Sequence, residues 1–288
     1  MKKILIFGKQ GMLGNALEKY FKKNRDFLIV GTSRKKISKD RIFFDIDENF
    51  RENVFNIIKL EKPEYILNCI GFIRPTNAYK DFKKAILINS IFPQILAQIC
   101  LVTGIHLIHF STDCVFSGRK GSYGEMDISD EVSVYGISKY LGELRQPPNL
   151  TIRTSIIGRG KGTKENLLDW FLNTTDKEIK GYKKVIWNGI TTLTMAKIVE
   201  RIIEKDLNFE KSLIQITSNK LSKYDLLNYF KEIFEKDIQI IPEEKTISDN
   251  TLIPSVEQTK YFQDLIPSLY EQTRELKDFY LKDYENNN

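Results

Sequence analysis

The start of the chain restricts its fold more than any other segment, because a glycine-rich turn follows a short apolar segment and precedes an amphipathic helix. Residues 3–7 are rich in side chains that favour β-strands, and residues 15–21 have helical apolar spacing. Gly8, Gly11 and Gly14 lie between them in a G-x-x-G-x-x-G pattern. Such a turn lets backbone N–H groups at the helix start approach a pyrophosphate. The pattern predicts the first unit of a dinucleotide-binding fold; the alternative is a glycine-rich turn that binds no ligand.

The same alternation of apolar strands and helices continues along the chain. Helices are predicted at residues 48–60 and 81–103, and strands at residues 27–31, 41–45, 65–71, 105–110, 151–154 and 212–217. Short apolar strands that alternate with helices are typical of a parallel sheet covered on both faces. We therefore predict an α/β fold with a Rossmann-type doubly wound parallel sheet. Ligands bind at the carboxyl ends of such strands, so residues that follow the strands are candidates for a site.

The last part of the chain is less regular and predicts a smaller C-terminal α/β domain that covers the substrate. We assign residues 1–157 and 185–217 to the cofactor domain, and residues 158–184 and 218–288 to the substrate domain. Ser222 with Asp225 three residues later forms a capping-box pattern that predicts the start of a helix. The basic loop at residues 159–164 either attracts a diphosphate or is simply solvated.

The end of the second predicted strand indicates the type of nicotinamide cofactor. An NAD site places an acidic residue there, about 20 residues after the glycines, to bond the ribose. Residues 32–36 read T-S-R-K-K and contain no acid. The guanidinium of Arg34 is suited to grip the 2′-phosphate of NADP, and the hydroxyl of Ser33 adds a hydrogen bond. The sequence thus predicts NADP(H); the alternative is a solvated basic loop.

A phenol, an ammonium group and a hydroxyl form the predicted catalytic group. Tyr135 and Lys139 lie one helical turn apart, and Thr112 follows the fifth predicted strand. A nearby ammonium lowers the pKa of a phenol, and a hydroxyl can bond a substrate carbonyl as negative charge develops on it. The other pair with this spacing, Tyr79 and Lys83, has no such strand end before it and is interpreted as a solvated helix face.

These motifs together resemble the extended short-chain dehydrogenase/reductases, and most closely the dTDP-4-dehydrorhamnose reductases. The resemblance rests on the N-terminal glycines, S-T-D at residues 111–113, Y-G-x-S-K at residues 135–139 and R-T-S at residues 153–155. It implies that Tyr135 donates a proton to the C4 carbonyl oxygen of the substrate. It further implies that Lys139 binds the nicotinamide ribose and lowers the pKa of Tyr135, with Thr112 as the third catalytic residue.

The resemblance also implies sets of binding residues. The cofactor candidates, besides Tyr135 and Lys139, are Gly8, Gly11, Met12, Leu13, Gly14, Ser33, Arg34, Asp45, Ile46, Ile70 and Gly71. The candidates for contact with a nucleotide-diphosphate sugar are Asp113, Cys114, Arg153, Ile156 and Trp187. Asn89 aligns with an asparagine of the family and is either a satisfied interior amide or a catalytic support.

Two departures from the family pattern lie on the substrate side. Cys114 stands where the family usually has tyrosine, and Ile156 stands where it often has tryptophan. Both changes predict a reshaped sugar pocket. Related 4,6-dehydratases carry glutamate directly after the S-T-D aspartate, whereas here Asp113 is followed by Cys114, which disfavours dehydration. Reduction and simple epimerisation remain.

Composition argues against several classes of protein. The 288 residues are 41% hydrophobic and 28% charged, with a net charge of +6, which favours a globular protein that binds phosphorylated ligands. No basic segment is interleaved with aromatic residues, so we expect no nucleic-acid partner. Three widely spaced cysteines indicate a reduced cytoplasmic setting without disulfides or a metal site. We also expect no signal peptide and no apolar segment long enough to span a membrane.

The sequence therefore predicts an NADPH-dependent reductase of a nucleotide-linked 4-keto-6-deoxy-sugar. The alternatives are a non-catalytic NADP-binding regulatory subunit of another enzyme and a sugar-nucleotide epimerase, because one fold hosts different functions. The resemblance implies a homodimer.

Overall fold

The computed structural model describes residues 1–34, 42–47, 49–73, 78–160 and 166–285. Several sequence features lie outside the described residues: Lys35 and Lys36 of the basic segment, most of the loop at 159–164, the first residue of the predicted third strand, and the side chain of Tyr79.

The elements alternate as the sequence predicts. The strands are β1 (Lys2–Phe7), β2 (Phe27–Ser33), β3 (Ile42–Phe43), β4 (Tyr65–Asn68), β5 (His106–Thr112), β6 (Leu150–Thr154), β7 (Ile156–Ile157), β8 (Glu178–Trp187), β9 (Ile190–Thr191), β10 (Leu213–Gln215), β11 (Leu221–Ser222) and β12 (Gln239–Asp249). The helices are α1 (Met12–Phe21), α2 (Phe50–Glu61), α3 (Ala78–Ile86), α4 (Phe92–Thr103), α5 (Val134–Leu141), α6 (Leu167–Asn173), α7 (Thr192–Glu204), α8 (Lys223–Ile233), α9 (Val256–Tyr261) and α10 (Leu269–Glu285).

The largest sheet has seven strands in the order β3-β2-β1-β4-β5-β6-β10, and every neighbouring pair is parallel. The strand order reverses between β1 and β4, which is the point where ligands bind in sheets of this kind. The predicted Rossmann-type sheet is confirmed. The carboxyl ends of β1, β2, β4 and β5 lie along one edge, so the residues that follow them share that edge.

Apolar side chains cover both faces of this sheet. On one face, Leu17 and Phe21 of α1 belong to the same buried cluster as Ile198 of α7. On the other face, Val54 of α2 packs in a cluster with Phe92 of α4. Each of these side chains is fully buried, and burial of one large apolar side chain contributes about 1.5–3 kcal/mol. This packing fixes the strand edge that carries the candidate site.

The C-terminal part forms a smaller sheet of three strands in the order β11-β8-β12, packed against α8 and α10. Ser222 and Asp225 form the predicted capping box at the start of α8. Two details differ from the predicted domain limits. Residues 185–187 belong to β8 of the small sheet, and the chain returns to the core of the large sheet at Phe262 and Ile266, after α9.

The helix predicted at 81–103 is interrupted by a π-helical turn at Leu87–Ile91 that joins α3 to α4. The stretch Asp81–Thr103 is long and apolar enough to cross a membrane by length and composition, so the prediction that no segment reaches that length was wrong. A core helix meets the same criterion. Here Phe92, Leu96 and Cys100 are fully buried against the sheet.

Candidate active site

The glycine turn between β1 and α1 has the conformation that a phosphate site requires. Gly8 has a φ of +83°, which favours glycine, and a Cβ at Gly14 would collide with the carbonyl oxygen of Gly8. The backbone N–H of Gly8 donates to Oγ1 of Thr32 at 3.2 Å, which ties the turn to β2. The site thus depends on close backbone approach between Gly8 and Gly14.

Helix α1 begins at this turn without a side-chain cap, because Gly11 is its N-cap. In the described part of the chain, no acceptor contacts the N–H groups of Met12 and Leu13. Uncapped N–H groups and the helix dipole together favour an anion at this position. These residues fit the pyrophosphate of a dinucleotide.

The predicted adenosine contacts lie at the ends of β2 and β3. Arg34 is exposed directly after β2, whereas Ser33 is buried and already engaged within the protein. Asp45 is exposed, and its Oδ1 accepts from the N–H of the half-buried Ile46 at 2.9 Å. Among the described residues at this edge, the exposed side chain of Arg34 is therefore the cation that can bind a 2′-phosphate.

Two further cofactor candidates follow β4. The side chain of Ile70 lies beside Gly8, close enough that a Cβ at Gly8 would meet it at 2.9 Å. Gly71 is exposed next to it, and a Cβ at Gly71 would have Oδ1 of Asn89 as its nearest neighbour, at 3.9 Å. The structure thus brings Ile70 to the glycine turn, whereas the cofactor contact of Gly71 stays a prediction.

Tyr135, Lys139 and Thr112 are brought together at the end of β5. Ser133 caps α5 by accepting from the N–H of Gly136 at 3.1 Å, and this helix presents Tyr135 and Lys139 one turn apart. The Thr112 hydroxyl interacts with the Tyr135 phenol and lowers its pKa. The Lys139 ammonium is buried and donates to the carbonyl oxygen of Phe110 on β5 at 2.6 Å.

Burial dominates the electrostatics of this group. It raises the pKa of Tyr135, the nearby Cys114 and Asp113 side chains raise that pKa further, and the Thr112 hydroxyl opposes them. The lowering of this pKa by Lys139 stays a prediction. Burial also lowers the pKa of Lys139 to about 8, although the Glu143 carboxylate opposes the shift. The phenol consequently keeps its proton at neutral pH.

Asp113 and Cys114 lie directly beside the catalytic hydroxyl. Thr112 donates to Oδ1 of Asp113 at 3.1 Å, and the Cys114 thiol contacts the same oxygen at 3.5 Å. Asp113 is buried, which raises the pKa of its carboxyl, while the ammonium of Lys223 opposes that rise. Cys114 is exposed, and the neighbouring Asp113 charge raises its thiol pKa to about 12. The thiol is therefore protonated and unreactive at neutral pH.

Arg153 is not brought to this group. Its side chain is fully buried and donates to Glu143 from Nε at 2.8 Å and from Nη2 at 2.7 Å. Its remaining Nη1 donates to Gln215 at 3.0 Å, and the guanidinium lies over the ring of Phe116. The predicted substrate contact is thus replaced by an interior ion pair, because the guanidinium has no accessible surface.

The last two substrate candidates have different surroundings. Ile156 is half-buried in β7 and packs against the core of the large sheet. Trp187 ends β8 and is only 4% exposed, with the Lys223 ammonium 4.4 Å from the centre of its ring. The sequence analysis missed Lys223. One available signal was a lysine at the first position of a predicted helix, where a cation is unfavourable to the helix dipole.

Asn89 lies in the π-helical turn and is 1% exposed. Its amide accepts from the N–H of Phe72 at 2.8 Å and donates to the carbonyl oxygen of Phe72 at 2.9 Å and to Ser138 Oγ at 3.0 Å. The interior interpretation fits these contacts. Because Ser138 lies on α5, the same amide also positions the helix that carries Tyr135 and Lys139.

A cavity of about 140 Å³ is lined by the first residues of β4, β5 and β6: Tyr65, His106 and Leu150. These are the amino ends of the strands. The cavity therefore lies at the edge of the sheet opposite to the glycine turn and the catalytic group.

Comparison with known sequences identifies one matching family model and several curated relatives. The family model described as RmlD substrate binding domain matches residues 1–226. A dTDP-4-dehydrorhamnose reductase from Aggregatibacter actinomycetemcomitans is 31% identical over 160 residues, 54% of this chain and 51% of that protein. Methionine adenosyltransferase 2 subunit beta from Danio rerio is 32% identical over 155 residues, 52% of this chain and 46% of that protein. The chain spans about half the length of the curated relatives it matches.

Solved structures share the fold over nearly the whole chain. A dTDP-4-dehydrorhamnose reductase from Bacillus anthracis in complex with NADP has a TM-score of 0.80 at 20% identity, covering 98% of this chain and 100% of the other. UDP-glucose 4-epimerase from Thermotoga maritima has a TM-score of 0.75 at 16% identity, covering 98% and 99%. At these identities the similarity establishes the fold alone.

Proposed function

Because this chain belongs to the RmlD substrate binding domain family, we propose that it is an NADPH-dependent oxidoreductase that reduces the C4 keto group of a nucleotide-linked 4-keto-6-deoxy-sugar. One observation carries the proposal. The Tyr135 phenol interacts with the Thr112 hydroxyl, with buried Lys139 one turn away, at the strand edge that also holds the glycine turn. The sugar-nucleotide reductases among the relatives support an oxidoreductase of this class.

The proposed chemistry uses Tyr135 as the acid. Bound NADPH would supply the hydride. Since burial raises the pKa of Tyr135, the phenol holds a proton that it can give to the carbonyl oxygen. The Thr112 hydroxyl lies beside the phenol and can bond the same oxygen. Both bonds strengthen as negative charge develops there, which lowers the barrier for reduction.

Lys139 is proposed to hold the ribose of the cofactor and to stabilise the phenolate that remains after proton transfer. Its ammonium has one acceptor among the described residues, the carbonyl oxygen of Phe110, so further N–H groups are available to a ligand. The positive charge is required for this role. The charge is retained below a pH of about 8, where the amine is protonated.

NADP is the cofactor that the described residues favour. The first-turn N–H groups of Met12 and Leu13 fit the pyrophosphate, and exposed Arg34 fits the adenosine phosphate. The relative of similar fold from Bacillus anthracis was solved with NADP. Free Cys69, Cys100 and Cys114 agree with the proposed cytoplasmic setting.

The test is NADPH consumption with a panel of 4-keto-6-deoxyhexoses carried on dTDP, UDP, GDP or CDP. Tyr135→Phe should lose at least about 100-fold in kcat, because the acid is removed. Tyr140→Phe is the matched control, since Tyr140 lies on the same helix and packs beside Phe116 and Tyr123. Near-normal turnover by Tyr135→Phe would refute the mechanism.

A regulatory subunit is the second candidate, favoured by the similarity to methionine adenosyltransferase 2 subunit beta. That function predicts NADPH binding, a stoichiometric partner enzyme and no NADPH oxidation with any sugar in the panel. An epimerase would instead retain oxidised cofactor through purification and would consume no NADPH. The panel therefore separates the reductase from the other two functions, and oxidised cofactor retained through purification separates the epimerase from the regulatory subunit.

A further inference from the structure

Lys223 is a cation on the substrate side of the candidate site that the proposed chemistry does not use. It is the first residue of α8 in the C-terminal part of the chain, and its side chain extends over the buried ring of Trp187. Its charge interacts with Asp113 and with Cys114, the two residues that follow catalytic Thr112. The small sheet thus supplies a charge to the reacting end of the large sheet.

The Lys223 ammonium has capacity for a ligand. Among the described residues no acceptor is hydrogen-bonded to it, and no direct ion pair joins it to Asp113, although the two charges interact. The side chain is half-buried and therefore partly removed from water. An ammonium has three donors, and donors that have lost water favour a new acceptor. A ligand hydroxyl placed between the two groups would supply the acceptor that the Lys223 ammonium lacks.

We propose that Lys223 is a further substrate-binding residue, and that it holds the C3 hydroxyl of the sugar together with Asp113. The proposal rests on the proposed function. A hydroxyl can accept from the ammonium and donate to the carboxylate at once, so this pair matches one hydroxyl group. An anionic substituent would meet the Asp113 carboxylate and be repelled.

The position of Lys223 and Asp113 relative to Thr112 determines which sugar hydroxyl they can bind. Asp113 Oδ1 lies 3.1 Å from the Thr112 hydroxyl, which is proposed to bond the C4 carbonyl oxygen. The ligand group must therefore be a direct neighbour of C4. In a 4-keto-6-deoxy-sugar, C5 bears a methyl group and the ring oxygen, whereas C3 bears a hydroxyl. The C3 hydroxyl is thus the neighbouring group with both a donor and an acceptor.

The test measures sugar binding separately from turnover. Calorimetry with NADP⁺ present and dTDP-4-keto-6-deoxy-D-glucose as the probe gives a Kd that requires no reaction. Lys223→Met should weaken binding about tenfold to a hundredfold, because a charge-assisted hydrogen bond is lost. Lys223→Arg should restore most of the affinity. Lys220→Met is the matched control, since Lys220 bonds Ser122 at the exposed surface.

A 3-deoxy analogue of the probe identifies the atom that is held. The analogue should bind wild-type protein at least as weakly as the parent sugar binds Lys223→Met, because it also loses the bond to Asp113, and the substitution should then add no further loss. Equal affinity of Lys223→Met and wild type for the parent sugar would overturn the proposal. So would no sugar binding by wild type. Sugar binding without NADPH oxidation would refute the proposed function alone.

Discussion

Replacing Arg153 by methionine separates an interior role from the substrate contact that the sequence predicts. The side chains of Arg153 and Glu143 are both fully buried, and two hydrogen bonds of 2.7 and 2.8 Å join them. Arg153→Met keeps an apolar chain of similar length and removes the guanidinium. It leaves the Glu143 carboxylate in the interior without its main partner.

The expected loss follows from that burial. Removing one partner of a buried ion pair costs about 3–5 kcal/mol. Glu143 retains hydrogen bonds from Ser111 at 2.8 Å and from Arg145 at 2.8 Å, so we expect about 3 kcal/mol, at the lower end of the range. For a chain of 288 residues, this corresponds to a fall in Tm of roughly 6 °C.

Thermal unfolding followed by circular dichroism measures this change, and Arg145→Met is the matched control. Arg145 contacts the same Oε2 of Glu143, but its side chain is 43% exposed. Exposed ion pairs contribute about 0–1 kcal/mol, so this control should shift Tm by about 2 °C at most. The two arginines share one acceptor and differ in burial, so a difference between their Tm shifts can be assigned to burial.

The interior role predicts a change in stability without a change in substrate affinity at 20 °C. The double variant Arg153→Met/Glu143→Gln should also be more stable than the sum of the single losses predicts, since no uncompensated charge remains. A Tm like that of wild type, combined with a raised KM for the sugar, would refute the interior role of Arg153 and would support its predicted contact with the substrate.

Three further predictions concern the cofactor. Gly14→Ala should abolish NADPH binding by calorimetry, because its Cβ would collide with the backbone of Gly8, whereas Gly124→Ala, with its nearest neighbour at 3.9 Å, should bind normally; equal affinities would contradict this. Arg34→Ala should reduce the preference for NADPH over NADH about tenfold or more, and an unchanged preference would exclude Arg34 from the phosphate contact. Since burial lowers the pKa of Lys139 to about 8, kcat/KM for NADPH should fall about tenfold per pH unit above that value, and a flat profile would show that the charge is not required.

The sequence predicts those parts of the site that local pattern determines. Gly8 and Thr112 lie at strand ends, and a strand end is readable from an apolar segment and the residues that follow it. Gly14 lies in the first turn of α1, which the glycine spacing predicts. Tyr135 and Lys139 share a helix face because of their spacing. Their convergence follows from the parallel order of the strands, which the alternation of elements predicts.

The parts that the sequence does not predict depend on contacts between distant segments. The burial of Arg153 requires Gln215, 62 residues away, as well as Glu143. The π-helical turn is stabilised where Asn89 bonds Phe72 and Ser138, and no local pattern distinguishes it from the helix around it. Such contacts are set by tertiary packing, which overrides the local preference of the chain.

Cys114 and Lys223 are best explained together. The resemblance implies a large aromatic residue at the position of Cys114, and a thiol occupies less volume beside Asp113. Lys223 is the first residue of α8, and its charge interacts with both residues. The cation on the substrate side is thus Lys223 rather than Arg153. Because Lys223 belongs to α8 and Asp113 follows β5, a sugar held between them would link the small sheet to the large one. Loss of Lys223 should therefore weaken this link in the sugar complex and leave the cofactor site on the large sheet unchanged.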